Sequence, residues 1–117
     1  MYPVAFIATE QENDLIVSFA VSVDPEGDIL SLTLLRTPGY ESLLAPENRG
    51  ISVFWEEDED NSELLLGVER KKNTVKLNTN RREFVLDLSC VRDKELQIMR
   101  KVFLKMNFDK AVKLKGF

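Results

Sequence analysis

The sequence predicts an α+β domain, an antiparallel β-sheet meander of about six or seven strands with one C-terminal helix packed on one face. Three observations carry that prediction. Apolar residues in the first ninety positions alternate with a period of two, in short runs broken by turn residues. After Ser89 the period becomes helical. The chain has 117 residues, 44% hydrophobic and 31% charged, the composition of one ordinary globular domain.

Tyr2–Thr9 and Leu15–Val23 are rich in Val, Ile and Phe and flank the polar stretch Glu10–Asp14, so they read as a hairpin. Asp24-Pro25-Glu26-Gly27-Asp28 is a turn in which Pro presets φ and Gly supplies a positive φ. Leu30, Leu32 and Leu34 then alternate with Ser31, Thr33 and Leu35 as a third strand. Arg36–Gly50 breaks the pattern with Pro38, Gly39, Pro46 and Gly50. Within it, Tyr40–Ala45 fits one helical turn, and a loop of this length points to a functional or mobile segment.

Ile51–Glu57 resumes as a strand, with Ile51, Val53 and Trp55 on one face, and Asp58–Ser62 follows as a turn. Leu64, Leu66 and Val68 alternate with Leu65, Gly67 and Glu69. Lys71-Lys72-Asn73 is a tight hairpin turn, with Asn73 the expected left-handed residue. Val75 and Leu77 continue the meander, Asn78–Arg81 turns it, and Phe84, Leu86 and Leu88 form the next strand. The helix follows, with Leu96, Met99, Val102, Phe103 and Met106 as its apolar stripe, Ile98 at the edge and Leu104 off it. Asp93 or Ser89 is the expected N-cap. Val112 and Leu114 in the tail suit a last short strand.

Charge is sorted by position. Residues 1–69 hold 15 Asp/Glu against Arg36 and Arg49, a net of −13. Residues 70–117 hold 14 Lys/Arg against five Asp/Glu, a net of +9, for an overall −4. The densest acidic block is Glu56-Glu57-Asp58-Glu59-Asp60. Such asymmetry points to binding by surface potential, unless the halves neutralise each other in the fold.

Several chemistries are disfavoured. The chain has no His, which removes the Ser-His and Cys-His nucleophile pairs and imidazole metal sites. The acidic run lacks the Gly that a calcium loop needs at its bend. The five glycines are scattered, with no phosphate-cradling loop. No pair of carboxylates is placed for glycosidase chemistry. A pI near 4.9 argues against nucleic acid despite the basic second half. No apolar run approaches the length of a membrane span, and Met1-Tyr2-Pro3 does not read as a signal peptide. Lone Cys90 suits a reducing compartment and reads as a small buried or half-buried residue.

The order of segments carries a resemblance. Phe6-Ile7-Ala8-Thr9-Glu10 runs through an acidic turn into Leu15-Ile16-Val17-Ser18-Phe19-Ala20. Then come Leu32–Arg36, Val53-Phe54-Trp55-Glu56 with its acidic turn, the hairpin Leu64–Asn78, the strand Phe84–Leu88 and the helix Leu96–Phe103. Over roughly residues 4–106 this resembles the immunity protein 10 family of bacterial polymorphic-toxin systems, whose pattern is one of loose apolar strands.

The resemblance implies a single immunity-like domain over residues 1–117. It implies a cytoplasmic, non-enzymatic protein that binds and neutralises a cognate toxin domain, without cofactor, metal, nucleic acid or membrane. The expected partner-binding residues are Trp55, Glu56, Glu57, Asp58, Glu59 and Asp60, with Tyr40 in the long loop as a second contact. Acidic groups would steer and pair, and Trp55 or Tyr40 would anchor. The alternative is a self-associating structural module, a homodimer formed through a sheet edge or Leu104.

Overall fold

The computed structural model describes residues 1–24, 27–58 and 62–117. Eight strands form in chain order: β1 (Tyr2–Gln11), β2 (Leu15–Ser22), β3 (Ile29–Arg36), β4 (Ser52–Trp55), β5 (Ser62–Lys71), β6 (Thr74–Thr79), β7 (Glu83–Asp87) and β8 (Lys113–Lys115). One α-helix, α1 (Asp93–Met106), precedes β8. The α+β architecture expected from periodicity is the one observed, with more strands than anticipated.

Sequence neighbours pair antiparallel, as a meander requires. Two pairings are parallel. Tyr2 and Pro3 of β1 lie beside Leu86 and Asp87 of β7, and Gly67–Glu69 of β5 lie beside β8. The strand order β4-β3-β2-β1-β7-β6-β5, with β4 also paired to β5, closes into a ring. The ring divides into a first-half sheet, β1–β4, and a second-half sheet, β5–β8.

The ring encloses one core. Phe19, Leu32, Leu34, Leu77, Leu86, Met99, Phe103 and Met106 are almost wholly buried. Helix α1 lies against β1 and β2. Its predicted stripe, Leu96, Met99, Val102, Phe103 and Met106, is the buried face. Each such side chain contributes roughly 1.5–3 kcal/mol by leaving water.

Local details differ from expectation. Arg92, not Asp93 or Ser89, occupies the N-cap position, and no side chain caps the helix there. Glu95 in the first turn instead accepts the Ile7 N–H of β1 at 2.8 Å, where β1 has already left β7. On β5 a register shift between Leu65 and Gly67 breaks strict alternation, so Leu65 and Val68 are buried while Leu66 is exposed. Lys72, with φ +51°, takes the left-handed position in the hairpin turn in place of Asn73. Cys90 is exposed, in the turn between β7 and α1, and is not a core residue.

The tail docks firmly. Phe117 meets Phe103 edge-on with ring centroids 5.4 Å apart. Gly116 has φ +83°, and a Cβ there would collide with the Arg70 carbonyl oxygen.

Candidate functional site

The predicted acidic site begins at the end of β4. Backbone pairing of β4 with β3 continues one residue past the strand, where the Glu56 N–H donates to Ser31 O at 3.0 Å. The Glu56 carboxylate also accepts the Ser31 N–H at 3.0 Å. Glu56 and Glu57 are both exposed. Asp58 is half-buried and pairs with Arg82, which also donates from Nε to Glu63 Oε1 at 2.6 Å. Part of the charge asymmetry is therefore neutralised across the two halves here. Glu59 and Asp60 lie outside the described residues.

Trp55 is only 7% exposed. Its ring lies between Tyr2, at 5.6 Å, and Phe84, at 6.0 Å. The period-two reading that put Trp55 on one face with Ile51 and Val53 explains this, because all three point into the ring. Trp55 is a core residue that borders the surface, and little of it reaches solvent. The aromatic that reaches solvent beside the acidic turn is its neighbour Phe54, 41% exposed. Phe54, Trp55, Ser31, Thr33, Glu56 and Asp58 line a shallow cleft of about 230 Å³.

Tyr40 sits elsewhere. It belongs to a 3-10 segment, Pro38–Leu43, and is 64% exposed. This segment follows Arg36 at the C-terminal end of β3, whereas Glu56 meets Ser31 near its start. Roughly 17 Å of strand separates the two ends. The fold does not bring Tyr40 together with the acidic turn.

The long loop is held by a buried ion-pair cluster that sequence reasoning missed. Arg36 continues the inward series Leu32, Leu34 and is 3% exposed. All five of its N–H donors are used. Nε and Nη2 donate to Glu41 at 2.7 and 3.0 Å, and Nη1 and Nη2 donate to Asp109 at 3.0 and 2.8 Å. Nη1 also donates to the Met106 carbonyl at 2.8 Å, and the guanidinium lies 4.1 Å over the Phe108 ring. Burial alone would lower the Arg36 pKa, but the hydrogen bonds and charges of Asp109 and Glu41 outweigh it and raise it. The Arg36 hydrogen bond in turn pulls Asp109 down to about 2. The inward parity of β3, followed one residue further, is the signal that would have found Arg36.

The second buried charge is Glu63 on β5, 3% exposed. It accepts a hydrogen bond from Thr79 Oγ1 and the one from Arg82. Both buried charges are fully partnered, and they brace strand ends and loops.

The outward positions of the first-half sheet form the other feature missed from sequence. Register places Phe6 beside Ala20, Ala20 beside Ser31, Ala8 beside Ser18, Ser18 beside Thr33, and Thr33 beside Phe54. Ile16, Leu35 and Ser52 extend the same face. None of these side chains is charged. Phe6 and Phe54 are 49% and 41% exposed, and Ser18 and Thr33 satisfy each other's hydroxyls at 3.1 Å. Carboxylates bracket the face: Glu10, Glu12 and Asp14 at one end, and Asp28, Glu56 and Glu57 at the other. Among the described residues, no three His, Cys, Asp or Glu side chains converge to hold a metal ion. None of the described helices is long and apolar enough to cross a membrane. Compared with family models, curated proteins and solved structures, the chain matches none.

Proposed function

We propose that this protein is a non-enzymatic immunity protein that binds and neutralises a cognate bacterial toxin domain in the cytoplasm. The observation that supports this most is a shallow cleft that brings exposed Glu56 together with an exposed aromatic, Phe54, with exposed Glu57 next in the chain. An apolar centre with a charged rim is the anatomy of a protein-binding surface. An acidic rim suits a basic cleft, such as one that handles a phosphate-bearing substrate, and accelerates encounter with it. The resemblance of the strand order to immunity proteins favours a toxin as the partner.

The test is a pull-down from the native host, at low and high salt, with the wild type and with Glu56→Gln/Glu57→Gln. The expected result is one toxin-like partner, retained less at high salt and less by the double variant. Retention that ignores both salt and the substitutions would contradict the acidic contact. Recovery of the protein alone would favour self-association. That alternative has little edge to use among the described residues, because the ring is closed and β8 presents Lys113 and Lys115 on a three-residue strand.

A further inference from the structure

We infer that the whole outward face of the first-half sheet, from Phe6 across Ser18 and Thr33 to Phe54, is a docking face for a protein whose contact surface is rimmed by Lys and Arg. This inference rests on the binding reading above and extends it from one turn to four strands.

A sheet face that meets only solvent readily carries Lys and Glu, and such charges protect it from sticking. In a chain that is 31% charged, the outward residues Phe6, Ala8, Ser18, Thr33, Ser52 and Phe54 include none, and Glu10 of β1 enters beside Ile16 at one end of the face. The second-half sheet does the reverse, with Lys76 beside Glu83 at 3.7 Å and Lys71 beside Glu69 at 3.5 Å on its strands. Depletion of charge at the centre, with aromatics present, marks the part of an interface that loses its water. The small side chains at Ala8 and Ser18 let a partner approach the backbone closely, and Phe6 and Phe54 stand at opposite edges as contacts.

Charge complementarity selects the occupant. Both ends of the face carry more acid than base: Glu10, Glu12 and Asp14 stand against Lys105, which donates to Gln11 at 2.7 Å, and Asp28, Glu56 and Glu57 stand beside the Asp58–Arg82 pair. The basic residues of the first half are withdrawn from it: Arg36 is buried, and Arg49 donates to the Leu44 carbonyl at 3.1 Å. A second copy stacked on this face would bring acidic rims together, which is repulsive. Nucleic acid and anionic lipid meet the same repulsion. A basic-rimmed protein meets attraction at both ends and a flat, uncharged centre between them.

The test places the photo-crosslinker benzoylphenylalanine, one position at a time, at Phe6, Phe54, Glu57 and Leu66 in the native host. Leu66 is 55% exposed on the second-half sheet and serves as the reference. The expected result is one crosslinked protein from Phe6, Phe54 and Glu57 and none from Leu66. That protein, purified, is then titrated with Phe6→Lys, Phe54→Lys and Phe54→Ser, each checked for an unchanged thermal melt. The Lys variants should lose affinity by roughly tenfold or more, and neutral Phe54→Ser by less. Crosslinks from Glu57 alone would overturn the docking face and leave the acidic-turn reading standing. Crosslinks to a second copy, equal labelling from Leu66, or a captured protein with an acidic surface would also overturn it. Silence at all four positions would remove both readings.

Discussion

The two sheets share one ring of backbone pairings and one core, yet they face water in opposite ways. On the second-half sheet, Glu69, Lys71, Lys76 and Glu83 stand among the outward residues and pair with one another. On the first-half sheet the comparable positions are Ala8, Ser18, Thr33 and Ser52, flanked by Phe6 and Phe54, and carboxylates gather at the ends of the face, with Glu10 beside Ile16 near the end of β1 and Glu56 just past β4. Inward-facing residues are alike in the two sheets, so folding does not demand the difference. An uncharged outer face contributes little to stability, whereas interfaces use such faces. Each sheet also holds a buried ion pair: Arg36 of β3 with buried Glu41 and with Asp109, and Glu63 of β5 with Arg82.

Substitutions of these features should separate folding from binding. Arg36→Met is expected to have the largest effect. Removing the guanidinium leaves Glu41 and the Met106 carbonyl without their buried partner, a loss of about 3–5 kcal/mol readable by urea denaturation. Gly116→Ala comes next, because its Cβ would meet the Arg70 carbonyl. The tail must shift, undocking Phe117 from Phe103, at a cost of roughly 1–3 kcal/mol in the same assay. Acid should then weaken the Asp109 contact of the Arg36 cluster. The Asp109 pKa is depressed to about 2 in the fold, against about 3.9 for an unperturbed Asp. Its stabilising contribution is therefore present above pH ~4 and lost as pH falls toward ~2. Urea melts between these limits should show a shallower acid loss for Asp109→Asn than for the wild type. The smallest effect belongs to Lys76→Ala on the second-half sheet. This pair is exposed and should be worth no more than about 0.5 kcal/mol.

How much of this was legible in the sequence follows from which signals are local. Val, Ile and Phe richness located β1 and β2, period two located the later strands of the ring, and period 3.6 located the five buried residues of α1, because the periodic patterns record which side of an element meets water. The parallel contact of Tyr2 with Leu86 was not legible, since it joins residues far apart in the chain. The bulge at Leu66 was hidden by four consecutive residues without a polar alternation, Leu64-Leu65-Leu66-Gly67.

For the site, the acidic block was visible as composition, and Glu56 and Glu57 are indeed exposed beside an aromatic. Strand parity turns Trp55, the expected anchor, to the inner face at the border of the cleft, and the same parity exposes Phe54. The uncharged face could be seen only once register placed Ser18 between Ala8 and Thr33, residues drawn from three different strands.

The most direct test of the central claim is the affinity of one captured partner for two variants, Phe54→Lys and Leu66→Lys, measured side by side over a salt series. The account predicts that a lysine on the first-half face weakens binding by roughly tenfold or more and that the lysine at Leu66 leaves it unchanged. Equal losses from both lysines, or none from Phe54→Lys, would contradict it.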